Sequence, residues 1–290
     1  MSTSVLSLIE EHHSRLSKSH KKIADYILNN YEVAAYHTAA KLGSVTGISE
    51  STVVRFATQL GFRGYPEFQT ALQESIKGKL TSTQRMEVAS VQLSQEDLLE
   101  NVLKNDRQTI KETLESVSRE DFAAAANAIN SARKIYILGI RSSAPLADFV
   151  YFYFKLVYDN VKLITAACSS EMFEEIFRIG EEDVLIALSF PRYSKQVIKT
   201  VKYVKERGAK IIAITDSDIA PIAELSDYLL VAKNSMVSFV DSMVAPLSLI
   251  NALIIASARG RREEVQKTFM ELDNVWDNYN VYQTGETVDE

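Results

Sequence analysis

Two short segments of this 290-residue chain carry residue types and spacing suited to anion recognition. The apolar run Ile135-Tyr136-Ile137-Leu138 stops at Gly139-Ile140-Arg141-Ser142-Ser143 and opens a helical pattern at Ala144. Further on, Val184-Leu185-Ile186-Ala187-Leu188 runs into Ser189-Phe190-Pro191-Arg192-Tyr193-Ser194 and opens another. A strand that hands over to a helix leaves unpaired backbone N–H groups at the positive end of the helix dipole. Serine hydroxyls add donors, and guanidinium groups add bidentate recognition of phosphate or carboxylate. Arg141, Ser142, Ser143, Ser189, Arg192 and Ser194 are therefore the candidate effector-binding residues. The competing reading pairs Arg141 and Arg192 with acidic neighbours.

A second constellation lies near the N-terminus. Thr38 is placed to cap Ala39–Val45, Gly47 breaks that segment, and Ser49 is placed to cap a further helix, Glu50–Leu60, closed by Gly61. Val53, Phe56, Ala57 and Leu60 share one face of it. Two short helices about a tight glycine turn, with small Gly43 at the crossing, form the helix-turn-helix pattern. Its second helix must be slim and polar at its start to enter a major groove. Ser49, Glu50, Ser51, Thr52 and Arg55, with Arg63 just past the closing glycine, are the candidate DNA-binding residues. The plainer reading is a helical hairpin with a solvated face.

The elements that must hold these residues follow from periodicity. Helical patterns at Val5–Glu11 and from Leu16 precede the helix-turn-helix, and charged helices at Leu98–Val117 and Glu120–Ala132 follow it. Then strands at Ile135–Ile140, Val161–Thr165, Val184–Ser189, Lys210–Thr215 and Tyr228–Val231 alternate with helices at Ala144–Tyr158, Glu171–Ile179, Ser194–Glu206 and Asp241–Ala258. Near-continuous apolar strands between helices predict a five-stranded parallel sheet covered on both faces, with ligands at the C-terminal strand ends. The fold class is thus an all-α bundle followed by an α/β domain. The boundaries read as 1–77, a linker at 78–95, connecting or dimerising helices at 96–132, the α/β domain at 133–260, and a C-terminal helix and tail at 261–290. Tyr151, Phe152, Tyr153, Phe154 and Tyr158 make one helix apolar nearly all round, which predicts a buried subunit interface.

Composition narrows the function classes. The net charge is −6, yet residues 1–80 hold nine Lys/Arg against seven Asp/Glu, so any polyanion partner is expected at the front. All four histidines, His12, His13, His20 and His37, lie there too. The rear half therefore lacks the commonest proton shuttle and metal ligand, and neither metal nor cofactor is expected. The start lacks a signal-peptide layout, and Ala245–Ala258 is too short to span a bilayer. The single cysteine, Cys168, is expected as a buried packing residue and fits a reducing cytoplasm.

Taken together, Leu16–Ile27, Gly47-Ile48-Ser49-Glu50-Ser51-Thr52-Val53-Val54-Arg55-Phe56 and Leu60-Gly61-Phe62-Arg63-Gly64-Tyr65 resemble the RpiR family of bacterial transcriptional regulators. The rear half is similar to the SIS (sugar isomerase) domain that this family carries. The resemblance implies a double-stranded DNA operator, a phosphorylated-sugar effector, and a homodimer or homotetramer; the two guanidinium groups of Arg141 and Arg192 extend the effector class to phosphorylated sugar acids, with a second acidic group. SIS domains commonly show Gly-x-Gly-x-Ser after the first strand and Ser-x-Ser-Gly-x-Thr/Ser after a later one. Gly139, Ser143, Ser189 and Ser194 fit, whereas Arg141 and Arg192 stand at glycine positions and Pro191 at a serine. The leading expectation is a regulator whose operator binding responds to that effector. The alternatives are a sugar-phosphate isomerase, with Glu171, Glu174, Glu175 or Asp241 as base, and a DNA-binding protein without an effector.

Overall fold

The computed structural model describes residues 4–76, 80–86, 98–165, 168–236 and 240–282. Most of the expected linker, 78–79 and 87–95, lies outside these, as do residues 283–290 of the expected tail. The chain divides into two compact units: Met1–Thr109 with Asn234–Met243, and Ile110–Lys233 with Val244–Glu290.

The first unit begins with α1 (Val5–His12), α2 (Lys18–Asn29), α3 (Tyr31–Ala34), α4 (Ala39–Thr46), α5 (Glu50–Gln59) and α6 (Tyr65–Ile76). Their apolar stripes meet in one core around Ile9, Ile23, Ile27, Leu42, Val53, Phe56 and Phe68, all fully buried. Phe68 anchors it, edge-on to Phe56 and Phe62 at ring centroid distances of 5.8 and 5.4 Å. Caps set the helix starts: the Ser17 hydroxyl accepts from the His20 N–H and the Thr38 hydroxyl from the Lys41 N–H.

The same unit contains the helical segment 82–86, the first part of the helix Leu98–Ser116, and a hairpin pairing Ser235–Met236 with Asp241–Ser242. Arg85 is fully buried, and its guanidinium donates to Asp241 Oδ1 at 2.7 Å. The Ser242 hydroxyl donates to Asp106 Oδ1 at 2.5 Å, and the Asn105 amide donates to the Ser235 hydroxyl. The expected helix Asp241–Ala258 is thereby corrected. It begins at Val244, because Asp241 and Ser242 are extended and their side chains are committed to Arg85 and Asp106.

The second unit is built on β1 (Ile135–Gly139), β2 (Val161–Ile164), β3 (Val184–Leu188), β4 (Lys210–Thr215) and β5 (Tyr228–Val231), all parallel in the order β2-β1-β3-β4-β5. Every residue of β1 and β3 is buried, which explains why these strands read as unbroken apolar runs. On one face Tyr136, Leu138, Leu185 and Ala187 pack with Met172, Ile176, Val197 and Val201. In this strand order the crossovers diverge from between β1 and β3, the switch point of such sheets. The register sets Gly139 beside Leu188 and Leu138 beside Ile164, so the C-terminal ends of β1, β2 and β3 lie level.

The helix Ala144–Phe154 stops four residues short of the expected Tyr158. Beyond Phe154 the N–H groups of Leu156 and Val157 bond three residues back, and the Tyr158 hydroxyl donates to Asn130 Oδ1 at 3.0 Å. Its side chains are not buried all round: Leu146, Ala147, Val150 and Phe154 face the core, while Phe152 and Tyr153 are exposed. Cys168 is likewise exposed rather than buried. It stands at the entry of the helix Ser169–Ile176, its sulfur 3.1 Å from the Ser170 hydroxyl. No helix among the described residues is long and apolar enough to cross a membrane.

Candidate functional site

In the first unit, α4 and α5 pack closely because residue 43 has no side chain. A Cβ on Gly43 would sit 2.6 Å from the Ile48 carbonyl oxygen and 3.3 Å from the Glu50 nitrogen. The turn is closed by Gly47 at φ +67°, with the Ile48 N–H bonded to the Gly43 carbonyl at 2.9 Å. This fixes the start of α5 in solvent. Ser49, Glu50, Ser51, Arg55 and Arg63 are exposed and Thr52 is half-buried. Ser49 occupies the cap position without capping. Its hydroxyl pairs with those of Thr52 and Ser51, at 2.8 and 3.2 Å, instead of accepting from a helix N–H. Arg55 lies along its own helix, donating to the Ser51 carbonyl at 3.3 Å and the Thr52 hydroxyl at 3.2 Å. Arg63 is held by its backbone, whose N–H donates to Glu67 Oε2 at 2.6 Å. These six residues thus share α5 and the turn after it, and five of them are exposed.

Two histidines, each in contact with a neighbouring side chain, flank this face. His20 Nδ1 lies 2.5 Å from Gln59 Oε1, which ties α2 to the last turn of α5. His37 has its basicity lowered by burial first and by Lys41 second.

In the second unit the strand-end loops carry two unusual backbone positions. Arg141 has φ +58° and Arg192 φ +63°, in the left-handed region that favours glycine. Both are exposed, and both stand where the resembling motif has glycine. Gly139 is needed for another reason: a Cβ there would lie 2.7 Å from the Ser143 carbonyl oxygen and 2.9 Å from Ala147 Cβ. The helix Ala144–Phe154 consequently presses against the end of β1.

A cavity of about 410 Å³ lies at the ends of β1 and β2. Gly139, Ile140, Leu163 and Ile164 form its apolar wall, and Arg141, Asp148, Thr165 and Gln196 its polar one. Among the described residues, neither the Arg141 nor the Asp148 side chain has a hydrogen-bond or ion-pair partner. Of the six sequence-predicted effector residues, Arg141 lines this cavity. Ser142 is exposed beside it, and Ser143 is 4% exposed under the loop. Ser194 caps the helix Lys195–Glu206, its hydroxyl accepting from the Gln196 N–H at 3.2 Å, and so positions a lining residue without lining the cavity itself.

Ser189, 3% exposed, lies with Arg192 in the loop after β3, which is tied to β4. The Thr215 hydroxyl donates to the Ser189 carbonyl at 2.6 Å, and the Tyr193 hydroxyl donates to Asp216 Oδ1 at 2.8 Å. Reading the loops alone missed Asp148, Thr165 and Gln196. Asp148 follows Ala144 by four residues and so shares its helix face, a spacing visible in the sequence once the helix is placed.

The carboxylates considered for proton transfer are placed differently. Asp241 belongs to the first unit and is paired with Arg85. Glu175 accepts through Oε2 from the Thr165 N–H at 3.1 Å, while Glu171 and Glu174 are exposed and do not line the cavity. No group of three or more His, Cys, Asp or Glu side chains among the described residues is arranged to hold a metal ion.

Comparison with known proteins finds two families along the chain. Residues 3–79 match the helix-turn-helix domain of the rpiR family, and residues 128–256 match the SIS domain. An HTH-type transcriptional regulator of Clostridium perfringens is 27% identical over 225 residues, covering 77% of this chain and 80% of that protein. The HTH-type transcriptional regulator HexR of Escherichia coli is 24% identical, covering 73% and 72%. Among solved structures, Vibrio vulnificus NanR complexed with ManNAc-6P superposes with a TM-score of 0.59 at 19% identity, covering 97% of this chain and all of that one. The sugar isomerase domain of an RpiR transcription factor from Sphaerobacter thermophilus also gives 0.59, at 26% identity over 62% of this chain and 99% of that one. With the family's two domains matched in their order along the chain, this protein is a member of the RpiR family of HTH-type transcriptional regulators.

Proposed function

We propose that this regulator binds a double-stranded DNA operator through the exposed start of α5, and that a phosphorylated sugar in the SIS cavity modulates that binding. The observation that carries the effector half is the unpartnered Arg141 guanidinium at a cavity formed by parallel strand ends. A cation beside backbone donors at helix starts suits a phosphate, and the remaining polar wall suits sugar hydroxyls. The phosphosugar bound to the NanR relative is of the same chemical class. The DNA half rests on Ser49, Glu50, Ser51, Thr52, Arg55 and Arg63, which stand together on the slim side of α5.

The protein works as a homodimer or homotetramer in the cytoplasm. Exposed Phe152 and Tyr153 on the SIS domain supply an apolar surface for a second subunit. Paired α5 helices then meet a roughly palindromic operator, and the effector changes DNA affinity by favouring one arrangement of the pair. Couplings of about 1–3 kcal/mol correspond to about 5- to 150-fold in affinity. The protein is a regulator and not an isomerase. The rear half has no histidine, Asp241 is committed to Arg85, and Glu175 is engaged at the end of β2.

The test is a panel of sugar phosphates read by thermal shift, since a ligand that binds only the folded state raises its stability. At least one sugar phosphate should raise the transition and alter DNA affinity. If none binds the folded protein, the effector half fails. Arg55→Ala should weaken operator binding, flatten its salt dependence and leave sugar-phosphate binding intact.

A further inference from the structure

The cavity holds one cation and one anion, and the anion restricts what can enter. Arg141 stands in the loop after β1, and Asp148 lies one turn into the helix Ala144–Phe154, on the same face as Ala144. Asp148 is exposed at the cavity, and its carboxylate has no ion-pair or hydrogen-bond partner among the described residues. Thr165 and Gln196 complete the polar lining, with Ile140 and Leu163 among the apolar residues.

We infer that Asp148 is the specificity-determining residue of the effector site, selecting neutral or amino sugar phosphates and rejecting phosphorylated sugar acids. The inference rests on the reading that this cavity binds a phosphosugar, and it chooses within that class. With the phosphate on Arg141, the sugar body extends past Ala144 toward Asp148. A carboxylate accepts hydrogen bonds from hydroxyls, and more strongly from an ammonium group. It repels a second carboxylate: at about 5 Å and an effective dielectric constant near 20, two like charges oppose each other enough to lower affinity on the order of 100-fold, less where water screens them. Two arginines on the strand-end loops favour a doubly acidic ligand when read from the sequence alone. Asp148 reverses that preference, because of the two arginines only Arg141 shares its cavity.

The experiment is calorimetric titration of the full chain with glucose 6-phosphate, glucosamine 6-phosphate, 6-phosphogluconate and inorganic phosphate. The first three probes share the phosphate and carry hydroxyls only, an ammonium group or a carboxylate, and inorganic phosphate reports the phosphate alone. The parent protein should bind the neutral and amino sugars at least tenfold more tightly than the sugar acid. Asp148→Asn should raise affinity for 6-phosphogluconate at least tenfold and lower that for glucosamine 6-phosphate. Asp148→Ser serves as a second variant with the same expected order. Tighter binding of the sugar acid by the parent, or an unchanged ratio in both variants, overturns the assignment of Asp148 while leaving the phosphosugar site standing. Absence of binding by all four probes, inorganic phosphate included, overturns the assignment together with the site.

Discussion

Arg141 and Arg192 hold backbone conformations that cost an L-residue roughly 1–2 kcal/mol each. Strain of this kind persists where the surrounding structure imposes it, and it gathers at ligand-binding loops. The two replacements of Arg141 therefore separate charge from conformation. Arg141→Ala removes the guanidinium and keeps the strain, whereas Arg141→Gly removes both. Unfolding by urea should find the glycine variant more stable than the alanine variant by about 1–2 kcal/mol, and both should lose sugar-phosphate binding. Equal stability of the two would mean that the loop relaxes out of the left-handed region. At this scale the sequence showed which loops face the strand ends and which residue types they carry. It did not show that Ser143 and Ser189 lie beneath the surface, or that Asp148 and Thr165 complete the wall. Those facts depend on how β2 aligns with β1 and how a helix leans on Gly139, and loop spacing encodes neither.

Among the elements, the angle between α4 and α5 is the feature on which the proposed operator binding depends. Gly43 permits it, since the atom a side chain would strike is the carbonyl of Ile48, a backbone atom that cannot rotate away. Gly43→Ala should destabilise the first unit by about 1–3 kcal/mol, as overpacking does. It should also lower operator affinity beyond what the fraction of folded protein explains, as gel-shift titration against circular dichroism would reveal. An alanine variant with parental stability and affinity would show that the two helices can separate without consequence. Elements of this kind were legible because their periodicity and caps agree: Thr38, Gly47 and Gly61 mark the boundaries of α4 and α5. The ends of later elements were less so. Apolar periodicity runs through Tyr158 and back to Asp241, but hydrogen bonds from Tyr158 to Asn130 and from Arg85 to Asp241 decide where those helices stop and start.

For the whole molecule, the buried pair Arg85–Asp241 joins residues 156 positions apart within the first unit. Arg85 also acts on Tyr36: burial raises this phenol, Arg85 offsets part of the rise, and together they leave it at about 12. Asp241→Ala leaves a fully buried guanidinium without this carboxylate and should destabilise the protein by about 3–5 kcal/mol. Replacing both partners by apolar residues, as in Arg85→Met with Asp241→Leu, should restore most of that loss. Urea midpoints for the single and double variants test the pair, and a mild single variant would mean that Arg85 is compensated elsewhere. No sequence pattern announced this contact. Arg85 sits in a polar stretch and Asp241 in an apolar one, and only the folded chain brings them together.

Residues 234–243 lie between β5 and the helix Val244–Arg259 in the chain, yet they fold with the first unit. The polypeptide consequently passes from one unit to the other three times, and no single cut divides it into two independent pieces. A fragment beginning at Ile110 would retain Asp241 and Ser242 while discarding Arg85 and Asp106, their acceptors and donors in the intact chain. Affinities measured on such a fragment would describe a protein whose hairpin has lost the surroundings it was built for.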